Sequence, residues 1–154
     1  LVDARQRFFD DVLKYLIYGN VRRGGLYPLC VGAERVLQAQ TMARIAGDLN
    51  SGTVAHGCTA AGNDQVRFEV ALRTLNPDLE VLAPVRDNNW TRQQQIAYLR
   101  DRNLPAPPGG GAYSINRGLW GVTIGGKETL DSRESLPEDA WVLTRNAFES
   151  PLPG

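Results

Sequence analysis

The sequence predicts an α/β fold in which a parallel sheet is flanked by helices. Amphipathic helical patterns alternate with short apolar stretches along the first two thirds of the chain. The apolar stretches are bounded by Gly, Pro and Asn and are too short to be helices, so they indicate strands. Strands that alternate with helices are typical of parallel sheets, because each pair of parallel strands needs a crossover connection. The length of 154 residues suits one domain, or one domain with part of another.

Two helices are predicted before the first strand. Residues 4–18 carry apolar side chains every three or four positions, and Gly19 with Asn20 follows as a stop signal. Residues 33–46 carry a stripe of small side chains, which would permit close packing against a sheet, and Gly47 ends this helix. Both patterns have the period of a helix with one buried face.

The middle of the chain predicts a strand, a helix and a second strand. The string GTVAHG predicts a buried strand at residues 53–55, and apolar residues at helical spacing predict a helix over 63–75. Asn-Pro-Asp at 76–78 breaks this helix, and LEVLAPV predicts the second strand at 79–85.

The last third of the chain differs in composition. Thr91 begins a fourth helix, with Gln94 in the position of a capping box. The string PAPPGGG at 105–111 indicates a domain boundary or a mobile loop. The residues that follow favour strands and are too few for a core of their own, so we expect them to belong to a second, truncated domain.

Charge and cysteine content exclude several functional classes. The formal net charge is zero without a long run of like charges, which argues against a general binder of nucleic acid or of membrane surfaces. No apolar run approaches the roughly 18 residues of a membrane-spanning helix. Cys30, Cys58 and the lone His56 do not have the spacing of metal ligands, so no metal site is expected. We expect reduced thiols in a cytoplasmic protein.

The string HGCTAAGNDQVRFE contains the strongest candidate site. Small residues lead from the first strand to Asn63 and Asp64 at the beginning of a helix, where the backbone N–H groups favour anions. Arg67 lies one turn after Asn63, so an amide, a carboxylate and a guanidinium could together hold an amino acid. The simpler alternative is structural: Asn63 caps the helix, Asp64 complements the helix dipole, and Arg67 pairs with Asp64.

The string GNDQVRFE resembles a signature of the argininosuccinate synthases, which are ligases that join citrulline and aspartate with the use of ATP. Tyr27 in GGLYPL and Arg35 precede it at similar spacing, and NPDLEVLAPVRD and AYSINRGLWGVT resemble segments that follow it in that family. The resemblance covers roughly residues 20–145. The strings GLWG and GGKETL resemble the sequences of a less-studied branch of the family.

The resemblance implies an N-type ATP pyrophosphatase domain, of the adenine nucleotide α-hydrolase-like class, followed by the start of an α+β synthetase domain. Residues 1–108 would form the C-terminal part of the nucleotide-binding domain, and residues 109–154 the truncated beginning of the synthetase domain. We expect the chain to be the central piece of a longer enzyme of arginine biosynthesis, which the resemblance implies to be a homotetramer.

The resemblance also implies roles for particular residues. In the family, the citrulline ureido oxygen attacks the α-phosphate of ATP, which is used with Mg²⁺, and forms a citrullyl-adenylate and pyrophosphate; the aspartate amine then displaces AMP. Asp64 would be the catalytic residue. The aspartate-binding residues would be Thr59, Asn63 and Asp64; the citrulline-binding residues would be Tyr27, Asn63, Arg67, Ser114 and Thr123; and Gly57 would contact the nucleotide.

Three departures from the family pattern limit this interpretation. Gly32 stands where better-known members have Ser or Thr, and AAG at 60–62 replaces GKG, so a lysine near the nucleotide is missing. The SGG loop that cradles pyrophosphate is absent from these 154 residues, so we expect no catalysis from this chain alone. Two alternatives remain open: another adenylating pyrophosphatase of the same fold, and a non-catalytic amino-acid or nucleotide-binding remnant of it.

Overall fold

The computed structural model describes residues 1–29, 31–60, 62–106 and 113–141. The chain opens with helix α1 (Arg5–Phe8), passes through a π-helical stretch (Phe9–Leu13) and continues as α2 (Lys14–Tyr18). Gly19 lies at the end of α2, as its stop signal predicts. The prediction of a helix over residues 4–18 is confirmed, although its middle turn is wider than an α-helix.

A small parallel sheet and two helices form the centre of the fold. Helix α3 (Gly32–Asp48) leads to strand β1 (Thr53–Ala55), and helix α4 (Asp64–Leu75) crosses over to strand β2 (Glu80–Leu82). The two strands pair in parallel, which confirms the predicted arrangement. The prediction that β1 is buried is wrong: its residues are half-buried or exposed, because among the described residues β2 is its only neighbouring strand.

The second strand is shorter than predicted. The expected range of 79–85 contains β2 only at Glu80–Leu82, and helix α5 (Pro84–Asp87) begins directly afterwards. Pro84 explains the change, because its fixed φ and missing N–H suit the first turn of a helix and not the interior of a strand. Leu79, just before β2, is buried in the core.

The main hydrophobic core lies where α3 packs on α4. Its buried members are small on α3 and large on α4, and one further leucine joins them from the segment before β2. They are Ala39, Ala46, Phe68, Leu72 and Leu79. A second cluster, formed by Phe8, Leu13 and Leu37, joins the opening helices to α3, and Trp120 packs against it.

Helix α6 (Arg92–Arg100) confirms the prediction at Thr91. The Thr91 hydroxyl accepts a hydrogen bond from the Gln94 N–H, and the Gln94 side chain accepts one from the Thr91 N–H. This reciprocal pair satisfies two backbone donors that the helix itself cannot satisfy.

A β-hairpin follows the Pro/Gly-rich segment, of which residues 107–112 lie outside the described part of the chain. Strands β3 (Ser114–Gly118) and β4 (Gly121–Gly125) pair antiparallel and are followed by short 3₁₀ turns at Lys127–Leu130 and Glu138–Ala140. This confirms that strands are favoured after the Pro/Gly segment, whereas the domain boundary stays a prediction. Across the four described segments, no helix has the length and apolar character needed to cross a membrane.

Candidate active site

A cleft of about 370 Å³ opens between the N-terminal end of α4 and the β-hairpin. The loop that enters α3 forms a third side. The cleft lies at the carboxyl end of β1, where ligands of open α/β sheets bind. Every residue that the resemblance assigns to citrulline or aspartate lines the cleft: Tyr27, Thr59, Asn63, Asp64, Arg67, Ser114 and Thr123. The other lining residues are Val31, Cys58, Gly62, Gln65 and Asn116.

Asp64 lies between two guanidinium groups on the floor of the cleft. Arg35 Nε is 2.9 Å from Asp64 Oδ2, and Arg67 Nη1 is 2.5 Å from Oδ1. Burial by itself would raise the pKa of Asp64, but the hydrogen bonds and charges of Arg35 and Arg67 outweigh it and lower that pKa below its usual range. Asp64 is therefore a carboxylate at neutral pH and a weaker proton acceptor than an isolated aspartate.

Asn63 occupies the N-cap position of α4 without capping the helix through its side chain. Its backbone has φ −81° and ψ −17°, and its side chain makes no capping hydrogen bond. The prediction that Asn63 caps the helix is wrong, because a capping side chain needs the extended backbone that Thr91 adopts before α6. The Asn63 side chain is exposed at the mouth of the cleft, with its amide available to a ligand.

Tyr27 is held in place by Val31, the residue directly before α3. Its hydroxyl oxygen accepts a hydrogen bond of 3.2 Å from the Val31 N–H. Since a phenol is both donor and acceptor, its own proton remains to be donated into the cleft. Leu29, between these two residues, has φ 57°, a left-handed conformation that is uncommon for a branched side chain. The loop thus aims Tyr27 at the cleft through a constrained backbone.

The hairpin forms the opposite wall of the cleft. Ser114 and Asn116 are two positions apart on β3 and therefore share a face, and Asn116 pairs directly with Thr123 on β4. The resemblance indicated Ser114 and Thr123 but not Asn116. The alternation of side chains along a strand, counted from Ser114, is the signal that identifies it.

His56 beside the cleft and Cys58 in its lining have pKa shifts that oppose acid–base chemistry. The His56 ring stacks on Phe68 with a centroid separation of 5.6 Å, and burial, with the charge of Arg86, lowers the pKa of His56. Burial, followed by the charge of Asp64, raises the pKa of the Cys58 thiol. At neutral pH both groups are therefore uncharged.

Comparison with known proteins identifies the family. The family model described as the arginosuccinate synthase N-terminal HUP domain matches residues 1–105. The chain belongs to the argininosuccinate synthase family. This confirms the predicted resemblance and the adenine nucleotide α-hydrolase-like class, with its parallel sheet and flanking helices.

Curated argininosuccinate synthases are similar over nearly the whole chain. The enzyme of Staphylococcus saprophyticus subsp. saprophyticus is 40% identical over 152 residues, which are 98% of this chain and 38% of that protein. Those of Staphylococcus haemolyticus and Staphylococcus epidermidis are 40% and 41% identical over the same length and the same shares. The chain thus spans about two fifths of the length of these relatives.

Two positions relate to the argininosuccinate synthase pattern in different ways. A Cβ added to Gly32 would lie 3.8 Å from Arg67 Nε, so a hydroxyl introduced at this position would stand beside that guanidinium. Gly57 does not line the cleft: it is exposed, and a Cβ added there would meet nothing within 4 Å. The structure therefore brings together the residues expected for citrulline and aspartate, and leaves Gly57 outside them.

Metal ligands do not cluster in the described part of the chain. Within residues 1–29, 31–60, 62–106 and 113–141, no three His, Cys, Asp or Glu side chains are placed to hold a metal ion. No residue of this chain is therefore assigned to Mg²⁺.

Proposed function

We propose that the protein containing this chain is an ATP-dependent ligase that condenses citrulline with aspartate to form argininosuccinate. The ureido oxygen of citrulline forms a bond to the α-phosphorus of ATP, and pyrophosphate leaves. The aspartate nitrogen then bonds to the ureido carbon, and AMP leaves with the ureido oxygen. The observation that supports this proposal most is the cleft, which collects every residue expected to hold the two amino acids.

Citrulline is assigned to the side of the cleft between Arg67 and the hairpin. Arg67 uses Nη1 on Asp64, and its remaining donors can bind the citrulline carboxylate in the planar geometry that a guanidinium favours. Ser114 and Thr123 offer hydroxyl groups from the facing strands. Tyr27 donates its phenolic proton and Asn63 its amide to the same substrate.

Aspartate is assigned to the loop before α4. Asp64 stays ionised between Arg35 and Arg67, so it can bind the aspartate ammonium group, and Thr59 with Asn63 can bind a carboxylate. The lowered pKa of Asp64 favours orientation of the amine over removal of its proton. The catalytic contribution of Asp64 is therefore to position the nucleophile.

ATP is assigned to the open backbone around Gly57, with Mg²⁺ carried on its phosphates. Because these residues contain no SGG loop, the 154-residue chain by itself is proposed to bind ligands without turnover. For the longer protein we propose a cytoplasmic homotetramer, with the family resemblance as support.

The test is an assay of the product of the complete reading frame with ATP, citrulline and aspartate. Argininosuccinate, AMP and pyrophosphate should form in equal amounts. The Arg67→Lys variant should raise the KM for citrulline, because lysine loses the bidentate geometry. Formation of ADP in place of AMP would contradict the proposal, and binding of both amino acids without product would favour a non-catalytic remnant of the same fold.

A further inference from the structure

We propose that Glu34 is a positioning residue that ties the tip of the β-hairpin to α3 and thereby holds the hairpin wall of the cleft in place. It does not line the cleft itself. Its importance for substrate binding rests on the proposed function, whereas its hold on the hairpin can be measured independently of any activity.

The contact at the hairpin tip joins a largely buried carboxylate to the backbone of Leu119, whose own side chain is exposed. Glu34 Oε1 accepts a hydrogen bond of 3.0 Å from the Leu119 N–H, and only 14% of the Glu34 side chain is exposed. The neighbouring Gly118 backbone approaches so closely that an added Cβ would overlap the Glu34 carboxylate. The pairing of this carboxylate with the turn thus depends on a glycine at position 118.

The next residue of α3 holds the other wall of the cleft. Arg35 Nε binds Asp64 at the beginning of α4, and Arg35 Nη1 lies 3.8 Å from Glu34 Oε2. Two consecutive residues in the first turn of α3 therefore contact opposite sides of the cleft. These two contacts connect the beginning of α4 to the hairpin tip through adjacent residues of α3.

A second contact between the hairpin and the rest of the fold limits the effect of removing the Glu34 side chain. Trp120 Nε1 donates a 2.8 Å hydrogen bond to the Pro28 carbonyl oxygen, and the indole packs against the second hydrophobic cluster. Without Glu34 the hairpin stays attached through Trp120 but gains freedom at its tip. Binding of the ligand that contacts Ser114 and Thr123 should therefore weaken while the rest of the fold is preserved.

The first measurement is amide hydrogen exchange in the product of the complete reading frame. Glu34→Ala should accelerate exchange of the Leu119 amide and of the β3–β4 amides by about tenfold, which corresponds to the loss of one charged hydrogen bond. Glu34→Gln keeps an acceptor oxygen and should restore most of the protection. The Gln94 amide, which lies in the distant capping box, should not change.

Two glycine variants in the same hairpin form a matched pair. Gly118→Ala should loosen the hairpin as Glu34→Ala does, whereas Gly125→Ala should not, because an added Cβ there meets nothing within 4 Å. In a Glu34→Ala background, Gly118→Ala should add no further acceleration. Hairpin exchange that remains at the wild-type rate in Glu34→Ala, or equal effects of the two alanines, would overturn the proposal.

The second measurement is kinetic. Glu34→Ala should raise the KM for citrulline several-fold while kcat and the KM for aspartate stay unchanged, and Glu34→Gln should reverse this. An equal change in both KM values would indicate general destabilisation and would overturn the positioning role. If the wild-type protein forms no argininosuccinate while the exchange results are as expected, the proposed function fails and the hold on the hairpin stands.

Discussion

Replacement of Arg35 by Met tests the charge arrangement at the cleft most sharply. Met keeps most of the length of the arginine stem but removes the guanidinium, whose Nε lies 2.9 Å from Asp64 Oδ2. Asp64 would then keep Arg67 as its one guanidinium partner. The perturbation removes this charged hydrogen bond together with two longer contacts of Arg35 Nη1, to Glu34 Oε2 at 3.8 Å and to Gln38 Oε1 at 3.4 Å, without opening a large cavity.

The expected loss of stability follows from how little of this pair is exposed. The side chains of Arg35 and Asp64 are 16% and 26% exposed, and a hydrogen bond between charged groups at such a site contributes about 1.5–3 kcal/mol. For a chain of this size, in which 1 kcal/mol shifts Tm by about 2–4 °C, that corresponds to a decrease in Tm of roughly 3–12 °C. Thermal unfolding at pH 7, followed by circular dichroism, measures it.

The same helix offers a matched control. Arg44 Nη1 pairs with Asp48 at 2.8 Å, but these side chains are 57% and 61% exposed. Arg44→Met should therefore cost only about 0.3–0.5 kcal/mol, as is usual for exposed pairs one turn apart. Equal destabilisation by Arg35→Met and Arg44→Met would refute the account of a shielded charge site.

The pH dependence of the stability difference between wild type and Arg35→Met provides an independent check. The pKa of Asp64 is lowered in the folded protein, so its contribution to stability is present above its ordinary value of 3.8 and is lost as the pH falls through the folded value. The difference in free energy of unfolding between wild type and Arg35→Met should thus be largest at neutral pH and should decrease below pH 3.8. A difference that increases in acid would contradict this reasoning.

Three further substitutions test separate parts of the structure. Thr91→Ala removes the hydroxyl that accepts the hydrogen bond from the Gln94 N–H, while the N–H of residue 91 can still donate to Gln94 Oε1, and it should lower the free energy of unfolding by about 1 kcal/mol in urea denaturation. Gly32→Ser places a hydroxyl beside Arg67 and replaces a helical glycine, so it should stabilise α3 by roughly 0.5 kcal/mol in the same assay and lower the KM for citrulline. Asn116→Ala should weaken citrulline binding in calorimetry, because this side chain faces Thr123 inside the cleft.

Each of these substitutions has an outcome that would count against its premise. Thr91→Ala without loss of stability would mean that the hydrogen bond to the Thr91 hydroxyl contributes nothing to the free energy of unfolding. A destabilised Gly32→Ser variant would show that the space beside Arg67 is smaller than its 3.8 Å separation indicates. Unchanged citrulline binding by Asn116→Ala would show that the Asn116 side chain does not contact citrulline.

Local sequence patterns were sufficient to predict the main helices and strands but not the residues at which they begin and end. The periodicity of α3 and α4 and the capping box at Thr91 depend on residues a few positions apart, and all three are confirmed. The end of β2 was missed because Pro84 favours a helical turn that the apolar pattern of LEVLAPV does not indicate. The prediction that Asn63 caps α4 was wrong because capping depends on a backbone angle, which composition does not determine.

Contacts between distant residues mark the limit of prediction from a single sequence. The pairing of Arg67 with Asp64 was foreseen as a structural alternative because the two are one turn apart, and it is present. The pairing of Arg35 with Asp64 spans 29 positions, and that of Glu34 with Leu119 spans 85. No periodicity connects such residues, so only the folded chain reveals that Asp64 has two cationic partners.

The central claim is that the cleft between α4 and the β-hairpin holds citrulline and aspartate together. The most direct measurement is a crystal structure of the product of the complete reading frame with both amino acids at saturating concentration. The account predicts the citrulline carboxylate within hydrogen-bond distance of Arg67, Ser114 and Thr123, and the aspartate ammonium group on Asp64. Citrulline bound outside this cleft, or an empty cleft at concentrations that saturate turnover, would contradict it.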